Sequence, residues 1–217
     1  MLGNQFTAAF RRSLANAKRE FHFMRLHRAS ARMAARLAPG DLKLNIACGP
    51  NVKPGWVNVD LLPAADLHLD LREPLPFPDN SASIIYSEHF FEHLEFPDEA
   101  ERFLAESLRV LARGGVFSVG VPDTEWPLRA YVTGDDSYFR LARDEMKWHP
   151  AWCDTRLHQI NFHFRQGQEH KYAYDYETLE SVLKKAGFVS VTRREFDPSL
   201  DSESRKIGTL YAEGRKP

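Results

Sequence analysis

The chain has 217 residues, 43% of them hydrophobic and 27% charged, with a formal net charge of −1. That length and balance suit one α/β-sized core and exclude a disordered chain, and no window approaches the roughly 20 uncharged apolar residues that a bilayer crossing requires. Only two cysteines occur, Cys48 and Cys153, and no apolar leader opens the chain. A reducing, cytoplasmic setting without disulfides is therefore expected.

Charge is distributed unevenly. Residues 1–38 carry eight Lys or Arg against Glu20 alone, which leaves 21 basic and 29 acidic residues beyond them. An acidic body has no general attraction for nucleic acid, so none is expected as a partner. In the basic head, Phe6, Phe10, Leu14, Ala17, Phe21 and Met24 recur at three- and four-residue intervals, and this period predicts a helix over 6–38 that Pro39-Gly40 stops. Residues 1–40 then form a basic amphipathic extension. Such a helix packs on its own domain, docks on an acidic partner or makes peripheral contact with a membrane surface. An Arg-rich, acid-poor head also resembles an organelle transit peptide.

Residues 41–217 read as one domain. Short apolar or alternating runs predict strands at 42–47, 56–60, 65–70, 83–87, 116–121, 188–191 and 207–211, with helices at 97–111 and from Tyr176 to Ala186. Arg113-Gly114-Gly115 and Gly187 end those helices. Strands alternating with helices predict a doubly wound, mostly parallel, seven-stranded sheet whose last strand is antiparallel. Residues 122–170 have little periodicity and many Trp, His and Tyr, so they form an insertion beside the site where substrate choice resides.

In such sheets ligands bind outside the carboxyl ends of the strands. The first strand runs into Ala47-Cys48-Gly49-Pro50-Asn51. Gly49 lets a ligand approach the backbone without a β-carbon in the way, and free N–H groups in the turn suit a carboxylate. Asp60, with Leu61 after it, ends the second strand and is placed for ribose hydroxyls. Asp70, with Leu71 beside it, ends the third and is placed for an adenine amino group. Only about a dozen residues separate Gly49 from Asp60, so the first crossover helix is expected to be vestigial. That spacing also excludes the dinucleotide fingerprint, which needs a proper helix and an acid roughly 20 residues on.

The string Leu-Asn-Ile-Ala-Cys-Gly-Pro, then Val-Asn-Val-Asp60, Leu-Asp70-Leu and Arg-Val-Leu-Ala-Arg-Gly-Gly115, resembles the class I S-adenosylmethionine-dependent methyltransferases over about residues 42–121. The stretch from Cys48 to Glu92-His93 and the tail Tyr174-Asp-Tyr-Glu-Thr-Leu are similar to a poorly characterised branch of that family. The resemblance implies S-adenosylmethionine as cofactor. Its methionyl end would rest on Cys48–Asn51, with Asp60 on ribose, Asp70 by adenine, and Ser87-Glu88-His89 bordering the methyl group. The function implied is methyl transfer to a small-molecule or saccharide oxygen or nitrogen. A non-catalytic module that binds the same nucleoside is the alternative.

Candidate proton-handling residues are His89, then Glu92 and His93, which follow the fourth predicted strand. His163, His170 and Tyr172 in and after the insertion are the candidates for contacting the acceptor. His149, Cys153, His158, His163 and His170 match no familiar zinc spacing, so no metal is expected.

Overall fold

The computed structural model describes residues 2–37 and 40–217; Ala38 and Pro39, where the predicted helix ends and is stopped, lie outside them. Helix α1 (Leu2–Ala34) ends before the predicted stop, with turns through residue 37. Its carboxyl-terminal half docks on the domain, where Ser30 and Ala34 are buried, while Phe10, Leu14 and Phe21 stay exposed at 64%, 48% and 59%. The predicted stripe is therefore exposed from Phe10 to Met24, and the docked face lies beyond it, at Ser30 and Ala34. Among the described residues no helix is long and apolar enough to cross a membrane.

The strands β1 (Leu42–Ile46), β2 (Val57–Val59), β3 (Ala82–Glu88), β4 (Leu111–Pro122), β5 (Val189–Arg194) and β6 (Thr209–Arg215) form one sheet in the order β2-β1-β3-β4-β6-β5. Pairing is parallel from β2 through β4, and β6 runs antiparallel to both β4 and β5. The sheet has six strands and not the seven expected. Residues 65–70 make a single bridge, Val59 with Leu67, in place of the third predicted strand. The reason lies in where the backbone donors go. The Asp66 carboxylate takes the N–H of Asn58 at 2.8 Å, Ser30 Oγ of α1 takes that of His68 at 2.8 Å, and His27 Nδ1 takes that of Asp70 at 3.1 Å. Side chains occupy the donors that a ladder would use, and α1 covers the edge.

No helix joins β1 to β2; residues 47–56 are turns, in line with the short spacing. Helix α2 (Asp98–Val110) stops three residues before Arg113, and β4 takes up the chain at once. Helix α6 (Tyr176–Lys185), capped by Asp175 accepting from Thr178 N at 2.8 Å, lies against β5 and β6. One apolar core runs through the sheet and its helices, with Phe103, Phe117, Leu104, Leu183 and Phe188 among its buried members.

The segment after β4 carries α3 (Glu125–Thr133), α4 (Ser137–Arg140), a π-turn (Leu141–Glu145) and α5 (Arg156–Arg165). These short helices bury Ala130, Tyr138, Phe139, Ala142 and Ile160 as a second small core, packed by Trp126 and Trp148. None is long enough to show a clear period in sequence, because aromatic contacts across elements do the packing.

Gly120 in β4 has a defined reason. A β-carbon there would lie 2.8 Å from the ring of Tyr211 on β6, whose hydroxyl reaches Glu88 Oε1 at 3.0 Å. Gly120→Ala should therefore overpack the sheet and destabilise the fold by about 1–3 kcal/mol, read as a lower urea midpoint with unchanged slope.

Candidate active site

The carboxyl ends of β1, β2 and β3 converge on one edge of the sheet. Beyond β1 the chain turns through Ala47 and Gly49, with φ of 54° and 53°. Ala47 tolerates this left-handed conformation at some cost, whereas Gly49 adopts it freely. Nothing lies within 4 Å of where a β-carbon of Gly49 would stand, so the backbone is open on that side. The turn is tied to β2 by Cys48 N donating to Val59 O at 3.1 Å and by Gly49 N donating to Asp60 Oδ2 at 2.8 Å. Asp60 Oδ1 accepts from Leu62 N at 2.9 Å.

Beneath the turn, buried Asn45 donates to Asn58 Oδ1 and to Asn51 O, both at 2.9 Å. Asn58 Oδ1 also accepts from Lys53 N at 2.7 Å, and its amide donates to Asp66 at 2.9 Å. This chain of side-chain amides stands in for a crossover helix. The sequence pattern did not reveal it, since Asn45, Asn58 and Asp66 look like ordinary strand and turn residues.

A cleft of about 310 Å³ opens along this edge. Its walls include Ala47, Asp60, Leu61, Asp70 and Leu71, together with Phe90, His93 and Leu94. Gly49 is linked to it through Asp60. Helix α1 supplies a further wall, Arg19, Glu20 and Phe23, which periodicity alone could not place there. Arg72 bridges the two, donating to Asp70 at 2.6 and 2.9 Å and to Glu20 at 2.7 Å. Burial raises the Asp70 carboxyl, but the Arg72 hydrogen bonds outweigh it and hold the group below the usual carboxylate range.

Cys48, Asn51 and Glu88 face an adjoining recess of about 10 Å³ with Ala47, Lys53, Tyr86 and Ser202. Burial pushes the Cys48 thiol up to about 11, with Asp60 adding to the effect. Ser87 is buried in β3, and its hydroxyl has no hydrogen-bond partner among the described residues. The loop between β5 and β6 closes over the recess. Asp201, wholly buried, accepts from Arg194 at 2.6 Å through each oxygen and from Tyr86 at 3.1 Å. Arg205 donates to Glu88 O at 2.7 Å, and Ser202 N reaches Glu88 Oε1 at 3.3 Å. Sequence reading assigned no role to this loop, because a polar run bounded by Pro198 reads only as a turn.

A larger chamber of about 590 Å³ lies between the sheet and the helical segment, lined among others by His89, Tyr138, Trp148, His149, His163, His170 and Arg205. His163 is tied to Thr124 Oγ1 at 3.2 Å, and burial drives its pKa down to about 3. Tyr172 is not among the lining residues. It stacks on Phe96 at 4.3 Å between ring centroids and packs on the main core. Of the other residues grouped with His163 and His170, His149 shares the chamber wall and pairs with Gln159, whereas His158 pairs with Asp154 at the surface.

Between cleft and chamber sit the other candidates. His89, at the end of β3, has φ of 55°, in the left-handed region, and its Nε2 lies 2.8 Å from Thr209 Oγ1. Glu92 and His93 belong to the short 3₁₀ turn Phe91–His93. Glu92 is wholly enclosed, with both oxygens unbonded, and burial pushes its carboxyl up to about 8. Burial lowers His89 well below the usual histidine range and also lowers His93.

The sheet and its helices make a Rossmann-like α/β fold. Residues 44–119, about a third of the chain, match the family described as a methyltransferase domain. None of the curated proteins matches the chain. Among solved structures, a possible exported protein from Bordetella parapertussis is 15% identical with TM-score 0.50, covering 92% of this chain and 67% of that one. An S-adenosylmethionine-dependent methyltransferase from Thermotoga maritima, described as a possible histamine N-methyltransferase, is 20% identical with TM-score 0.46, covering 96% and 98%. Haemonchus contortus phosphoethanolamine N-methyltransferase 2, in complex with S-adenosylmethionine, is 12% identical with TM-score 0.48, covering 87% and 51%.

Removing Asp201 should leave Arg194 charged and without its partner under the loop. Asp201→Ala is expected to cost about 3–5 kcal/mol, measured by urea unfolding, and to make the loop of residues 195–208 the first segment cut in limited proteolysis.

Proposed function

We propose that the protein methylates an oxygen or nitrogen atom of a small-molecule or saccharide acceptor. The observation that carries this reading is the position of His89, Glu92 and His93 between two cavities: His93 walls the cleft and His89 walls the chamber. Donor and acceptor held on either side would meet across these residues.

The cleft suits the nucleoside. Asp60 and Asp70 each retain lone pairs beyond those used by Gly49, Leu62 and Arg72, so they can accept from ribose hydroxyls and an adenine amino group. Leu61, Leu71 and Phe90 offer apolar faces for a flat ring. The open side of Gly49, with Ala47, Cys48 and Asn51, takes the methionyl end, and Glu88 borders the methyl from the recess. S-adenosylmethionine, when bound, supplies a sulfonium-borne methyl group that needs only an in-line nucleophile. The protein's task is then alignment and exclusion of water. In the chamber, imidazole and aromatic walls suit a sugar or aromatic acceptor. His163 and His170 position its polar atoms, and His89 stands where the nucleophile's proton must leave.

Two substitutions separate the halves of this reading. Asp60→Ala should weaken S-adenosylmethionine binding in calorimetry at least tenfold, about 1.4 kcal/mol, with circular dichroism unchanged. His163→Ala should leave that affinity intact and raise the acceptor KM, once an acceptor is found by feeding labelled donor to fractionated extracts. Absence of donor binding by the intact protein at millimolar concentration would overturn the proposal.

A further inference from the structure

Glu92 presents a problem in electrostatics. Its side chain is 2% exposed, and neither carboxylate oxygen receives a hydrogen bond from the described residues. A buried carboxylate without a donor is costly, and such a group calls for a compensating partner.

Imidazole rings crowd it, and the Arg205 guanidinium acts on it from farther off. His93 Nδ1 lies 3.1 Å from the backbone carbonyl of Glu169, and His170 Nδ1 lies 2.9 Å from that of His163. A carbonyl can only accept, so in each neutral ring the proton sits on Nδ1 and Nε2 is left bare. His93 Nε2 stands 3.8 Å from Glu92 Oε1, and His89 Nδ1 reaches the same oxygen at 3.8 Å from the strand side. One ligand atom each from Glu92, His93 and His170 lie within 4.8 Å of one another, and no other set of three such residues does so among the described residues. The arrangement is held in place. Lys171 N and Tyr172 N both donate to Glu92 O, at 2.8 and 3.2 Å, which pins the segment bearing His170 onto the turn bearing Glu92 and His93.

From this we infer that Glu92, His93 and His170 bind a divalent transition-metal ion, zinc before others, at the junction of the two cavities. Two imidazoles and a carboxylate form a donor set typical of zinc sites that keep a coordination position open, and each imidazole here has its second nitrogen anchored to a backbone carbonyl, as metal-bound histidines do. Tetrahedral ligand atoms around zinc stand about 3.3 Å apart, so closure needs only small side-chain rotations. The nitrogen-rich set disfavours magnesium and calcium, which take oxygen ligands. His170 also lines the chamber and His93 the cleft, so the ion would stand where the two cavities meet. Binding of the ion is independent of the proposed reaction; its contact with an acceptor oxygen or nitrogen rests on that reading.

The test uses the intact protein, stripped with chelator and titrated with Zn²⁺ and separately with Mg²⁺ by calorimetry, with thermal melting in parallel. One Zn²⁺ per chain should bind and raise Tm, and Mg²⁺ should do neither. His93→Ala and His170→Ala, both at partly exposed side chains, should each weaken Zn²⁺ binding by at least about a hundredfold, beyond the loss typical of an outer-sphere partner. His158→Ala, at the surface pair with Asp154, should leave it unchanged. No zinc binding by the stripped protein, or equal binding by His170→Ala and the parent, would overturn the inference. S-adenosylmethionine affinity measured on the same stripped protein reports on the transferase reading separately.

Discussion

The buried contact between Asn45 and Asn58, 2.9 Å from amide to carbonyl oxygen, holds the site edge together. Parallel strands are usually joined by a helix, which sets their spacing and supplies the turn with a rigid base. Here the connection from β1 to β2 is too short for one. Asn45, Asn58 and Asp66 instead saturate the donors and acceptors of the two strand ends and of the loop between them. A fully satisfied buried polar network is rigid, whereas a half-satisfied one is a liability. The position of Gly49 and Asp60, and through them the cleft, depends on that completeness.

A second consequence concerns the edge of the sheet. Because Ser30 and His27 of α1 take the N–H groups of residues 68 and 70, the amino-terminal helix is part of the site's wall. The Glu20–Arg72–Asp70 bridge carries that contact into the cleft. These ion pairs are half exposed, so they orient the wall more than they stabilise it. Cleft and chamber then face each other across Glu92, His93 and His89, with the β5–β6 loop and its Arg194–Asp201 pair closing the remaining side.

Strands with strong apolar patterning, such as 42–47, 83–87 and 116–121, were legible from the chain alone, as were α2, α6, the antiparallel last strand and the missing crossover helix. Residues 65–70 misled because alternation of Leu67, Leu69 and Leu71 marks which side chains are buried, and burial does not require a ladder partner. The short helices of 122–170 were missed since each is too brief to express a period. Of the site residues, Ala47, Asp60, Leu61, Asp70 and Leu71 share the cleft, Cys48, Asn51 and Glu88 share the recess, and His89, His163 and His170 share the chamber. Gly49, Ser87, Glu92 and Tyr172 line none of these cavities: Ser87 and Glu92 are buried, and the Tyr172 ring stacks on Phe96.

By itself the chain's order of residues determined the strand ends and the acids and glycine that sit on them, because hydrophobic period and turn chemistry are local properties. Only the tertiary structure decided that α1 walls the cleft, that Arg205 and Asp201 return to β3 from more than a hundred residues away, and that a nitrogen each of His93 and His170 comes within 4.8 Å of a Glu92 oxygen. Those relations depend on distances between elements remote in sequence, and no local pattern encodes a distance.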